Sequence, residues 1–258
     1  MVTVPPSMHE IAQLCLHAAL HINQIARQCP ATPTADIASF DSTWGDADVQ
    51  DPLMTSHRFV SMYLAGAGDL LYGIGKVIEM EDHLVLSPSA LSRSVLEYAS
   101  RAWWLASSAS RDEMVARMAA LFQSGYQELT MEFNSFPGGI ELGNSFSRWR
   151  SRHGGLPRQK LPKMANLIEA MIPGDGGTLY GGLSQRVHGN AIQVLLSTQS
   201  ASKGSSAHVS DVRSDSLSAV YAVILAGRYA CELWDIDSAD IESCGKRYNE
   251  LRAAHVGT

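Results

Sequence analysis

Residues 88–105, PSALSRSVLEYASRAWWL, constrain the fold more than any other stretch of the chain. Proline loses nothing in a first helical turn, because its missing N–H would have no intrahelical partner there, and Ser87 or Ser89 can cap that end. At 100° per residue, Leu91, Val95, Tyr98, Ala102 and Leu105 share one face. Leu96, Ala99 and Trp103 widen it until the helix needs cover on more than one side. The spacing therefore predicts a central helix around which the others pack. What remains is a narrow polar stripe: Arg93, Glu97 and Arg101 at i, i+4 and i+8, with Trp104 beside it. A buried helix keeps such a ladder only where other groups satisfy it.

The rest of the chain repeats the helical period. Residues 8–28 carry Ile11, Leu14, Cys15, Ala18, Ile22 and Ile25 on one stripe, opened by Ser7 with Glu10 three residues on, a capping box. Further helices are predicted over 56–80, 112–133, 163–172, 178–196, 211–236 and 239–254, with irregular connections near 30–55, 136–162 and 197–209 and a short helical turn near 35–40. No stretch alternates as a strand does, no repeat is evident, and no second hydrophobic centre separates from the first. One all-α domain, a single-domain bundle of about seven or eight helices over 1–258, is the expected architecture.

Several chemistries lack their residues. The glycines at 66, 68, 73 and 75 follow no strand and lead to no Gly-Lys-Ser/Thr, so they read as close helix contacts and not as a phosphate loop. His17 and His21 stand at i, i+4 without an evident third ligand, and Cys15, Cys29, Cys231 and Cys244 have no C-x-x-C spacing, so no metal or cofactor is expected. No apolar run approaches the roughly 20 residues that span a bilayer, and the first residues lack a signal-peptide pattern; no membrane association and a cytoplasmic location are expected.

Charge is unevenly spread. Between Glu141 and Glu169 there are no acids and six bases: Arg148, Arg150, Arg152, Arg158, Lys160 and Lys163. The remainder holds 14 Lys and Arg against 26 Asp and Glu. A basic segment on an acidic chain either pairs with the chain's own acids or seats an anionic partner. A second informative stretch is TLYGGLSQRVHGN at 178–190, where Tyr180, Ser184 and His188 edge the apolar face of one helix. If that helix packs on the central one, Glu97 can hold His188 in one tautomer as an acid–base pair, with Arg93 or Arg101 clamping an anion. A Ser184–His188 nucleophile pair is the weaker variant, since no orienting acid and no oxyanion turn accompany it. The bland reading of the same residues is a buried network that fixes helix register.

The two signatures SRSVLEYASRAWWL and YGGLSQRVHGN, taken together, resemble a group of helical proteins of high-GC bacteria related to the HEPN-like bundles. The matching positions are Arg93, Glu97, Trp104, Tyr180, Leu183, Ser184, His188 and Gly189. The resemblance covers these two short stretches. It implies a HEPN-like helical bundle that binds or processes RNA or another phosphate-rich partner. HEPN ribonucleases carry an Arg followed four to six residues later by His; Arg148 to His153 has that spacing, and His188 has no such Arg before it.

Two functional readings follow, with a third beside them. In the first, the chain is a HEPN-like domain holding RNA through Arg148, Arg150 and Arg152. In the second it is a small-molecule enzyme of specialised metabolism, a cyclase, lyase or hydrolase acting on an anionic small molecule. Glu97 and His188 are then acid and base, Arg93 and Ser184 assist, and Arg101, Tyr180, Trp103 and Trp104 line the pocket. The third is a homodimer joined through the apolar 211–236 helix.

Overall fold

A computed structural model describes residues 6–80, 87–132, 137–188, 192 and 206–256, the side chains of 129–132, 137–140, 206–208 and 256 excepted. Among these residues there are ten α-helices and no strand: α1 (Met8–Ala26), α2 (Ala35–Trp44), α3 (Pro52–Glu79), α4 (Ser87–Ala106), α5 (Arg111–Glu132), α6 (Pro137–Arg152), α7 (Met164–Met171), α8 (Gly176–Val187), α9 (Ser206–Trp234) and α10 (Ala239–Val256). The all-α class is as the periodicity predicts. The count exceeds seven or eight because the short turn near residue 35 is a full helix, α2, and because α6 runs through a stretch read as a connection. Pro137 opens α6; among its described side chains Phe146 and Trp149 are the buried large apolar ones, too narrow a stripe to show through its arginines.

The central position of α4 holds. It packs between α3 and α9 and also touches α5, α7 and α8. Val95, Leu96, Ala99, Ala102 and Leu105 are fully buried along it. The two tryptophans exchange their expected places: Trp104 is 6% exposed, whereas Trp103 is only partly covered. Tyr98 stands 39% exposed, at the rim of the core face, with its ring edge on Tyr63. The α3 glycines admit neighbours as expected. A Cβ at Gly68 would lie 2.5 Å from Asn23 Oδ1, and one at Gly75 2.8 Å from the Leu16 side chain, so both let α1 lie close.

Local chemistry sets the ends. The Ser7–Glu10 capping box forms in both directions, Glu10 N–H to Ser7 Oγ at 3.2 Å and Ser7 N–H to Glu10 Oε2 at 3.0 Å. At the start of α3, Asp51 supplies no cap bond. Asp41, a buried residue of α2, does so instead: its carboxylate accepts from Leu53 N–H at 2.7 Å and Met54 N–H at 3.3 Å. The irregular 45–51 turn is thereby folded back onto the bundle. One hydrophobic cluster draws side chains from all ten helices. Val220, Val223, Ile224 and Ala226 of α9 belong to it, while Tyr221, Leu225, Tyr229 and Leu233 of the same helix are only partly buried. No described helix is long and apolar enough to cross a membrane.

Candidate functional site

The polar stripe of α4 is closed by α8. Tyr180 Oη donates to Glu97 Oε1 at 2.7 Å and accepts from Arg93 Nη2 at 3.3 Å. Arg93 Nε lies 3.1 Å from the same Glu97 oxygen, and the guanidinium sits 5.5 Å from the centre of the Tyr180 ring. Burial, with the Glu97 carboxylate beside it, pushes the Tyr180 phenol above its ordinary range, so it stays a proton donor to Glu97 at neutral pH. Tyr180 Oη bonds both partners and so ties α8 to α4, while the buried Arg93 Nε has the Glu97 charge beside it but no hydrogen bond of its own.

The expected Glu97–His188 pair is not formed. His188 is the exposed residue capping the end of α8, and its backbone N–H donates to Ser184 O at 2.9 Å. Ser184 therefore meets His188 through its carbonyl, not its hydroxyl. The reason is length: α8 ends at Val187, so His188 leaves the helical face that carries Tyr180. Gly189, the anticipated kink, lies outside the described residues, as does most of the predicted extension to 196. Arg101 bonds the Glu97 carbonyl at 3.3 Å and lies over Tyr63 at 5.9 Å. Trp103 stands edge-on to Tyr229 of α9, and Trp104 lies under Arg117 of α5 at 5.4 Å, so neither forms a wall at Glu97.

Three arginines of the basic segment, Arg148, Arg150 and Arg152, also have partners. Arg148 Nη2 reaches Asp48 Oδ1 at 2.7 Å and Glu141 Oε1 at 3.2 Å. Arg152 bonds Asp46 at 2.9 Å and Asp48 at 2.5 Å. These arginines hold the Asp48 carboxyl far below its ordinary range. Arg150 donates to three backbone carbonyls, of His153, Leu156 and Pro157, and ties down the chain after α6. Trp149 is fully buried and donates from Nε1 to Trp44 O at 2.7 Å. Arg148 and Arg152 thus pair with the chain's own acids, as in the first of the two readings, whereas no ion pair involves Arg158, Lys160 or Lys163 among the described residues.

A different place is left with an unused polar group. A cavity of about 390 Å³ lies where the first turns of α2 and α5, the start of α3 and the end of α9 meet. Its apolar side includes Ile37, Leu53, Met114 and Leu233. His57, on α3, lines it and is only 6% exposed. Trp234 Nε1 lies 2.9 Å from His57 Nδ1. An indole N–H only donates, so Nδ1 must be the bare nitrogen and the ring proton sits on Nε2. Burial, reinforced by the nearby Arg111 cation, pulls the His57 pKa down to about 4, so the ring is neutral at physiological pH. Nε2–H has no hydrogen bond to a described residue.

Charges stand round this cavity. Arg111 opens α5 and reaches Asp36 Oδ2 at 2.9 Å, but the pair is 54% and 75% exposed and contributes about 1 kcal/mol at most. Asp235 follows α9 in the left-handed conformation at φ 51°. It occupies the position glycine usually takes: Ile236 N–H bonds Cys231 O at 3.0 Å and Asp235 N–H approaches Glu232 O at 3.4 Å. An Asp there costs about 1 kcal/mol relative to Gly. Nothing in the sequence spacing points to His57, because its partner Trp234 is 177 residues away. The chain matches no family model, no curated protein and no solved structure.

Proposed function

We propose that this protein binds a small organic molecule in the His57 cavity, with the His57 Nε2–H as the buried hydrogen-bond donor that orients it. One observation carries the reading: a nearly fully buried imidazole has its tautomer set by Trp234, and its proton-bearing nitrogen has no acceptor among the described residues. An acceptor entering the cavity gives that nitrogen a partner, a hydrogen bond with a net contribution of about 0.5–1.5 kcal/mol. The cavity volume lies within the roughly 300–1,000 Å³ common for small-molecule sites. This retains the small-molecule reading of the sequence but moves it from Glu97 and His188 to another face of the bundle. The test is a titration of ¹⁵N-labelled protein with metabolite mixtures, read at the Trp234 indole N–H. A hit moves that resonance, and His57→Gln weakens the hit by about tenfold, about 1.4 kcal/mol. The absence of any hit, or hits indifferent to His57→Gln, would overturn the reading.

A second reading is a HEPN-like domain that binds RNA or another phosphate-rich partner. It is supported by Arg158, Lys160 and Lys163, which are exposed on the irregular stretch beyond the Arg–Asp pairs. On this reading RNA affinity falls steeply with salt, and changing these three to Ala lowers both affinity and the salt slope. Binding that is absent or insensitive to salt excludes it.

A further inference from the structure

The walls of the His57 cavity carry charge of both signs from different helices, and this restricts what fits. On one wall α2 and α5 present their first turns, the positive ends of their helix dipoles, capped by Thr34 and Ser110, and Arg111 adds a full positive charge there. Asp36, in the first turn of α2, already sits on Arg111 as a carboxylate. It shows what kind of group that wall accepts. On another wall α9 ends at Trp234 with no basic residue in its last turn, and Asp235 adds a negative charge directly after it. Between them the His57 ring offers a neutral donor. A plain anion would meet Arg111 and His57 but bring a third carboxylate beside Asp36 and Asp235. A plain cation would meet Asp235 but leave the His57 donor without an acceptor.

Resting on the small-molecule reading above, we infer that the cavity takes an amino-acid-like zwitterion, its carboxylate toward Arg111 and the His57 Nε2–H, its ammonium toward Asp235 and the end of α9. The apolar side formed by Ile37, Leu53 and Met114 then receives an aliphatic side chain.

The experiment uses the full chain and three matched probe mixtures: the twenty free amino acids, their N-acetyl derivatives and their amides. The first keeps both charges, the second only the anion, the third only the cation. Binding is read as the shift of the Trp234 indole N–H and as a dissociation constant for the best probe of each mixture. The zwitterion is expected to bind at least about tenfold tighter than either relative, about 1.4 kcal/mol. Arg111→Gln should weaken the amino acid and its N-acetyl form but spare the amide. Asp235→Asn, which keeps a residue that tolerates the left-handed backbone, should weaken the amino acid and its amide but spare the N-acetyl form. A relative with one charge removed that binds within threefold of the zwitterion overturns the inference, as does a free amino acid mixture that moves nothing. The metabolite screen decides the parent reading separately: uncharged or singly charged hits that depend on His57 would leave it standing while the zwitterion falls.

Discussion

The α4–α8 contact and the His57 cavity are both built from polar groups drawn out of water, yet they end differently. At α4–α8, Arg93, Glu97 and Tyr180 find their partners in one another, Tyr180 bonding both and the Arg93–Glu97 ion pair completing the set, with Arg93 Nε held by charge alone. At the cavity, Trp234 uses one nitrogen of His57, and no described residue accepts from the other. The closed set is what a helix pair needs for a unique register. The open set is what a ligand site needs, because only an unfilled donor gains on binding. The residues that stand out in the sequence are thus the ones partnered within the chain, and the one with a nitrogen to spare is inconspicuous.

The largest expected effect sharpens the open side of this comparison. His57 titrates at about 4 in the fold against an ordinary 6.5. Between these values the unfolded chain holds the extra proton and the folded chain does not. The contribution is therefore complete above pH 6.5 and is lost as pH falls towards 4, by up to about 3 kcal/mol. Denaturation curves against pH check it, and His57→Gln should flatten that limb; an unchanged limb means the imidazole is not held neutral.

The closed side is broken next. Glu97→Ala leaves the Arg93 guanidinium largely covered without its carboxylate and should cost about 2–3 kcal/mol. Tyr180→Phe removes one hydroxyl and should cost about 1 kcal/mol. A double-mutant cycle between them should show coupling above about 0.5 kcal/mol, whereas additive losses would mean that the three groups do not act as a set. Smaller again, Arg148→Ala and Arg152→Ala break ion pairs open to solvent and should each lower stability only slightly, a loss that fades in high salt and is read from denaturation midpoints at two salt concentrations. Smallest, Asp235→Gly should raise stability by up to about 1 kcal/mol by relieving the left-handed backbone. If it also abolishes zwitterion binding, the residue exchanges stability for the site.

The pattern of apolar residues determined the helical class, the central place of α4, the cap at Ser7 and the burial of the 211–236 stripe. These depend on neighbours three and four positions away, which any linear reading holds in view. It also determined that Arg93 and Glu97 need partners, and that Tyr180 lies on a helix able to supply one. Tertiary structure alone decided the rest. His188 leaves the bundle because α8 stops at Val187; Arg148 and Arg152 find Asp46 and Asp48 about a hundred residues away; and His57 meets Trp234 across 177. A side chain's ionisation and its spare hydrogen-bonding capacity are set by what lies within a few ångströms of it, and for these residues that is chain from distant parts of the sequence.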